Sequence, residues 1–263
     1  MSSAFRTKYG PWALVAGASE GIGKAFAAEL AARGLHLVLV ARRAALLDDL
    51  AAQLRAAHGV EVRTASIDLA SPSVLDEVRA ATEGLEVGLV VYNAAYSLVG
   101  RFLDQPLADK LRIVDVNCRG PLILADTFGR DMVARGRGGI IIMASLAAAQ
   151  GTAFVATYAA SKAFDLVLAE SLWDELRDHG VDVLACRAGA TRTPAYERSR
   201  PASEPAPVME PEAVAREALA ALGKTPSMVT GLLNGAVAFL MGRVLPRRAA
   251  VSIMGRATRK MYG

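Results

Sequence analysis

Three side chains of this sequence can do acid–base chemistry together: Ser145, Tyr158 and Lys162. Tyr158 and Lys162 stand four apart in a helical stretch, so they share a face. A free phenol titrates at about 10, too high to exchange protons readily at neutral pH. A neighbouring ammonium favours the phenolate and brings that exchange within reach. Such a pair serves as acid or base on a carbonyl/alcohol couple. Ser145 follows an apolar run and can hold the substrate oxygen by a hydrogen bond.

A second group can hold phosphate. Gly17-Ala18-Ser19-Glu20-Gly21-Ile22-Gly23 lies between a strand pattern and a helix pattern. Gly17 permits the tight turn, Gly21 lets backbone approach a pyrophosphate, and Gly23 lets the helix pack closely on the sheet. The helix start then offers free N–H groups to phosphate. An ordinary turn is the plain alternative, and the strand–turn–helix context favours a nucleotide site. The next strand ends Val40-Ala41-Arg42-Arg43. Ala41 cannot bond the ribose 2′-hydroxyl of NAD as a carboxylate would, whereas Arg42 offers a fork suited to a 2′-phosphate. NADP(H) is therefore favoured over NAD(H), against a merely solvated arginine. Glu20 is a counter-signal, because it brings negative charge near that phosphate. Asp68 ends the third strand and suits either an adenine amine or a helix cap.

Asn117 precedes Pro121 by four positions in a long helical pattern. Proline has no amide donor, so the Asn117 carbonyl lacks its helical partner. That carbonyl can hold a water linking Lys162 to solvent; a bare proline kink is the alternative.

Short apolar runs alternate with amphipathic stretches and position these residues. Strands are expected at 12–16, 35–40, 60–67, 87–92, 139–143 and 181–186, with a seventh at 228–231. Helices are expected at 22–33, ended by Gly34, at 44–58, ended by Gly59, and from the Ser71-Pro72 start. Further helices are expected at about 106–135, interrupted at Gly120-Pro121, and at 158–178, closed by Gly180. Strands apolar on both faces and alternating with helices make a Rossmann-type α/β fold. Its doubly wound parallel sheet of about seven strands carries helices on both faces, in three αβα layers.

The 263 residues suit one dinucleotide-binding and catalytic domain. With 53% hydrophobic and 21% charged residues, intrinsic disorder is excluded. Cys118 and Cys186 rule out a disulfide scaffold, and with His36, His58 and His179 they lack ligand spacing, so no metal site is expected. No signal-peptide run opens the chain, and a reducing, cytoplasmic location is the default. The net charge of +4 is uneven: no Asp or Glu follows Glu217, while seven Lys and Arg do. That pattern gives no broad nucleic-acid footprint. The segment 193–211, with the proline-rich stretch from Arg200 to Pro211, reads as a substrate lid or a plain surface connection. The 228–263 extension is apolar, then basic. It packs on the core or a second subunit, lies on anionic lipid, or attracts an anionic carrier such as coenzyme A or acyl carrier protein. Leu232–Leu240 is too short to span a membrane.

Taken in order, these residues resemble the short-chain dehydrogenase/reductase family over roughly residues 10–195. The resemblance implies a tetrad of Asn117, Ser145, Tyr158 and Lys162. It implies cofactor contacts from Gly17, Ser19, Glu20, Gly21, Ile22, Gly23, Arg42, Asp68, Leu69, Asn93, Ala94, Ala95, Tyr158, Lys162, Gly189, Thr191 and Thr193. It also implies homodimers or homotetramers formed through the helices at 106–134 and 158–179. Departures are Ala16 for a threonine, Ala95 for a glycine, Ala188 for a proline, and Tyr92 for an asparagine. The last is expected to loosen the tie between the fourth and fifth strands. The Ala41-Arg42-Arg43 and Leu245-Pro246-Arg247-Arg248 stretches look like the ketoacyl- and hydroxysteroid-type subgroup. The expected function is an NADP(H)-dependent oxidoreductase on a bulky apolar ketone or secondary alcohol: a steroid, 3-oxoacyl or cyclic ketone. Tyr96, Ala147, Ala148, Gln150, Phe154, Tyr196 and Met209 fall beside the expected substrate site. A cofactor-binding regulator or scaffold without turnover is the alternative. A sugar-nucleotide epimerase or dehydratase is disfavoured by the short region after Thr193.

Overall fold

Residues that are apolar on both faces of a strand have to be covered from both sides. In the computed structural model, which describes residues 2–199 and 207–262, that requirement shapes the whole chain. It opens with α1 (Ser2–Tyr9), β1 (Trp12–Ala16), α2 (Gly21–Ala32), β2 (His36–Ala41), α3 (Ala44–His58), β3 (Val62–Ser66), α4 (Val74–Ala81) and β4 (Val87–Tyr92). Then come α5 (Leu107–Val114), a π-helical turn (Asp115–Arg119), α6 (Gly120–Arg135), β5 (Gly138–Ser145), α7 (Ala156–Leu176) and β6 (Val181–Ala188). The chain ends with α8 (Pro194–Ser199), α9 (Pro211–Ala221), β7 (Ser227–Val229), α10 (Leu232–Phe239) and α11 (Arg247–Tyr262).

Among the described residues, seven parallel strands form one sheet in the order β3-β2-β1-β4-β5-β6-β7. This is the expected Rossmann-type fold. Alternate residues go to opposite layers. Val15, Leu39, Val91 and Ile141 pack against Phe26 and Leu30 of α2, Leu47 of α3 and Val214 of α9. Leu14, Val38, Val90 and Ile142 pack against Val78 of α4, Leu124 and Phe128 of α6, and Ala169 of α7. The strand order reverses direction between β1 and β4, and there the carboxyl ends part into a crevice.

Two local expectations change, and one helix is added. Helix α4 starts at Val74, not at Ser71-Pro72. The Ser71 hydroxyl accepts from the Ser73 amide at 3.2 Å, and both hydroxyls donate to Glu77, so a serine turn precedes the helix. Tyr92 does not loosen the sheet. Its β4 register with Ile142 of β5 is kept, and its buried hydroxyl donates to the Val116 carbonyl at 2.5 Å. Helix α1 was invisible in the pattern; Phe5 and Tyr9 seat it on the core, and the Tyr9 hydroxyl donates to Asp182.

Candidate active site

The first βα turn is shaped by contacts that leave no room for side chains. Gly17 sits at φ +85°, and a Cβ there would lie 2.7 Å from the Ala94 amide nitrogen. A Cβ on Gly23 would lie 2.0 Å from the Gly17 carbonyl oxygen. Asn93 locks this arrangement from β4 by donating from Nδ2 to the Gly17 carbonyl at 3.0 Å. The turn is thus pinned against the crevice, with the amino end of α2 facing it.

A cavity of about 810 Å³ runs along the carboxyl ends of the strands. Ser19, Glu20, Gly21, Ile22 and Arg42 line it at β1 and β2, with Asp68 and Leu69 beyond β3. Asn93, Ala94 and Ala95 line it at β4; Ser145, Tyr158 and Lys162 line it at β5 and α7. Gly189, Thr191 and Thr193 line it after β6. Arg42 follows β2 and Ser145 ends β5, three strand spacings or about 14 Å apart, a span that suits an extended dinucleotide. The glycine cradle, the arginines and this span all fit the nicotinamide cofactor implied by the sequence.

Glu20, the counter-signal, is neutralised. Its carboxylate pairs with Arg43 at 2.9 Å and with Arg198 of α8 at 2.6 Å. Burial opposes ionisation, but these two guanidiniums hold its carboxyl below the ordinary range. Arg43 also donates to the Ser19 hydroxyl at 2.9 Å. Sequence reasoning chose Arg42 and passed over Arg43, which equally lines the cavity. Asp68 does not cap α4. One oxygen accepts from the Ala70 amide at 3.1 Å, and the other pairs with Arg112 of α5 at 2.7 Å. Despite burial, these partners hold its carboxyl below the ordinary range.

At the other end, the Ser145 hydroxyl accepts from the Ala147 amide at 3.2 Å and starts a 3₁₀ turn, Leu146–Ala149. The Lys162 ammonium lies 5.9 Å from the Tyr158 ring centre. It donates to the Met143 carbonyl at 2.7 Å and to Asp165 at 2.9 Å. Burial alone would lower the lysine pKa, yet Asp165 and Tyr158 hold it above its ordinary value. Asn117 is fully buried in the π-helical turn, behind the cavity wall. Its side chain accepts from the Tyr96 amide at 2.8 Å and donates to the Tyr96 carbonyl and the Ser161 hydroxyl. Ser161 in turn donates to the Tyr158 carbonyl at 2.8 Å. Asn117 therefore clamps the β4 loop to the helix that carries Tyr158 and Lys162.

Of the substrate-side candidates, Tyr96, Ala147 and Tyr196 line the cavity, whereas Ala148, Gln150, Phe154 and Met209 do not. The 3₁₀ turn buries Ala148 and Gln150. Phe154, at φ +65°, accepts from the Gly100 amide through its carbonyl. Met209 bridges to Thr191 and packs against Gly231 and Asn234. Thr193 accepts from the Tyr196 amide at 3.1 Å and caps α8, the described start of the expected lid; residues 200–206 lie outside the described residues. The missed wall is the chain's end. Val237 of α10 and Met254, Ala257, Thr258, Met261 and Tyr262 of α11 close the substrate side. Only their recurrence along one helical face could have flagged them, and that face also fits ordinary core packing.

Residues 11–204 match the short chain dehydrogenase family, and the chain belongs to it. It is an oxidoreductase of the class that acts on CH–OH groups with NAD(P). It is 34% identical over 234 residues to a 7beta-hydroxysteroid dehydrogenase of Collinsella aerofaciens, covering 87% of this chain and 89% of that one. It is 40% identical over 181 residues to a very-long-chain 3-oxoacyl-CoA reductase of Podospora anserina, covering 67% of this chain and 53% of that protein. A solved structure of a 7beta-hydroxysteroid dehydrogenase superposes with a TM-score of 0.90 at 31% identity, covering 95% of this chain and 98% of that one. A short-chain dehydrogenase from Sphingobium yanoikuyae in complex with NADPH superposes at 0.77 and 32% identity, covering 89% of this chain and 96% of that one. No helix among the described residues is long and apolar enough to cross a membrane.

Proposed function

We propose that this enzyme uses NADP(H) to interconvert a bulky apolar ketone and its secondary alcohol. The observation that carries the reading is one cavity with arginines at one end and Ser145, Tyr158 and Lys162 at the other. Arg42, Arg43 and Ser19 would hold the adenosine 2′-phosphate, and the amino end of α2 the pyrophosphate. When bound, the nicotinamide cofactor supplies or accepts the hydride. Ser145 orients the substrate carbonyl, and Tyr158 gives its proton to the developing alkoxide. The Lys162 ammonium stabilises the phenolate left behind. The Asn117 carbonyl, lacking an amide donor from Pro121, holds the relay water. Oxidation runs through the same groups in reverse.

The apolar wall of Val99, Val155, Val237, Met254 and Met261 suits a rigid or long hydrophobic substrate. The relatives named for hydroxysteroids and very-long-chain 3-oxoacyl-CoA support the same choice. The test is a spectrophotometric screen of NADPH and NADH against steroid, 3-oxoacyl thioester and cyclic ketones. Selective NADPH oxidation by one apolar class supports the reading. Binding of NADPH without turnover on the panel would count against it.

The protein is read as a cytoplasmic homodimer or homotetramer. Leu107 and Leu111 of α5, Leu122 of α6 and Val167 of α7 form an exposed apolar band on the helices expected to pair. Light scattering reads the assembly directly. The α10–α11 segment also exposes Leu232, Phe239 and Val244 beside Arg243 and Arg247, a pairing that suits peripheral contact with anionic lipid. Sedimentation with acidic liposomes, reversed by salt, is its check.

A further inference from the structure

The polar floor beneath the catalytic helix contains a carboxylate that the mechanism above does not use. Asp165 stands one turn after Lys162 on α7 and has no exposed surface. Its Oδ2 takes the Lys162 ammonium at 2.9 Å, while its Oδ1 has no hydrogen-bond partner among the described residues. The groups facing this pair are Tyr158 on α7, Cys118 on the π-helical turn and Tyr92 on β4. None of those three carries a positive charge, so Lys162 is the sole cation facing Asp165 within this described set.

Burial pushes the Asp165 carboxyl up, and the charge and hydrogen bond of Lys162 oppose that rise and favour the carboxylate; an apolar residue would pack here at less expense. An ammonium has three N–H donors. The Met143 carbonyl takes one and Asp165 takes a second, which leaves the third for the cavity that Lys162 lines. We propose that Asp165 is a positioning residue: it anchors Lys162 as an ammonium, aims its remaining donor into the cavity, and offsets part of its charge at Tyr158. This rests on the reading of Tyr158 and Lys162 as the acid–base pair. Asp165 thereby sets the pH range in which the enzyme works. A negative charge beside the pair makes every proton loss from it harder, so removing that charge makes proton loss easier.

Asp165→Asn keeps the side chain's size and one acceptor oxygen, removes the charge, and puts an amide NH2 in place of the other oxygen. In the full-length enzyme, ketone reduction by NADPH is followed against pH for wild type, Asp165→Asn and Tyr158→Phe. The variant's activity is expected to fall off about one pH unit earlier on the alkaline side. Thermal melts report folding separately. Superimposable midpoints, or displacement to alkaline pH, would overturn the proposal, even if stability or plateau activity fell. Substantial turnover by Tyr158→Phe would instead sink the acid–base reading, which separates the two failures.

Discussion

The cofactor end and the substrate end of the cavity are built in different ways. The cofactor end is local: a strand, a turn and a helix within residues 12–32 create the glycine cradle. Backbone dominates it, and the distances forbid side chains at Gly17 and Gly23. The substrate end is assembled from the β4 loop, the 3₁₀ turn after β5, α8 and two helices from the end of the chain. Its parts lie far apart in sequence and meet only through the tertiary fold. A shared chemistry at one end can therefore coexist with a substrate wall that changes freely at the other.

Substitutions at the two ends should separate cleanly. The largest effect is expected from Gly23→Ala, whose methyl group meets the Gly17 carbonyl at 2.0 Å. NADPH binding, measured by fluorescence titration, should be lost for every substrate alike; near-native affinity would show that the turn yields. Next comes Arg43→Ala, which removes a charge-assisted contact and should weaken NADPH by about tenfold to a hundredfold. NADH should hardly change. An equal loss for both cofactors would assign Arg43 to holding the Glu20 turn instead. The smallest effect belongs to Met261→Ala at the far wall. It should raise the KM for a bulky ketone about tenfold and leave the Kd for NADPH unchanged. A change in Kd would break the division between the two ends.

The sequence was most legible where chemistry and local geometry coincide. The sheet, the βα turns and the break before Pro121 could be read because each depends on residues close in the chain. The break takes the form of a π-helical turn, and Gly120 begins α6 beyond it. Tertiary choices were not legible. Tyr92 looked like a lost asparagine, but its hydroxyl reaches across to the carbonyl preceding Asn117. Glu20 looked adverse to a phosphate until Arg43 and Arg198 were seen to claim it. Asp68 was divided between adenine and a cap, because its partner Arg112 lies 44 residues on. The α11 wall carries no motif; it becomes visible only once the fold brings the chain's end over the crevice.

The account's central claim is that Tyr158 carries the proton at a ketone bound beside NADPH. Its most direct test is the single-turnover rate of NADPH oxidation by an apolar ketone in wild type and Tyr158→Phe, with the Kd for NADPH measured on both. The phenylalanine variant should bind NADPH normally and react about a hundredfold to ten-thousandfold more slowly. A rate within a few-fold of wild type, at unchanged NADPH affinity, would contradict it.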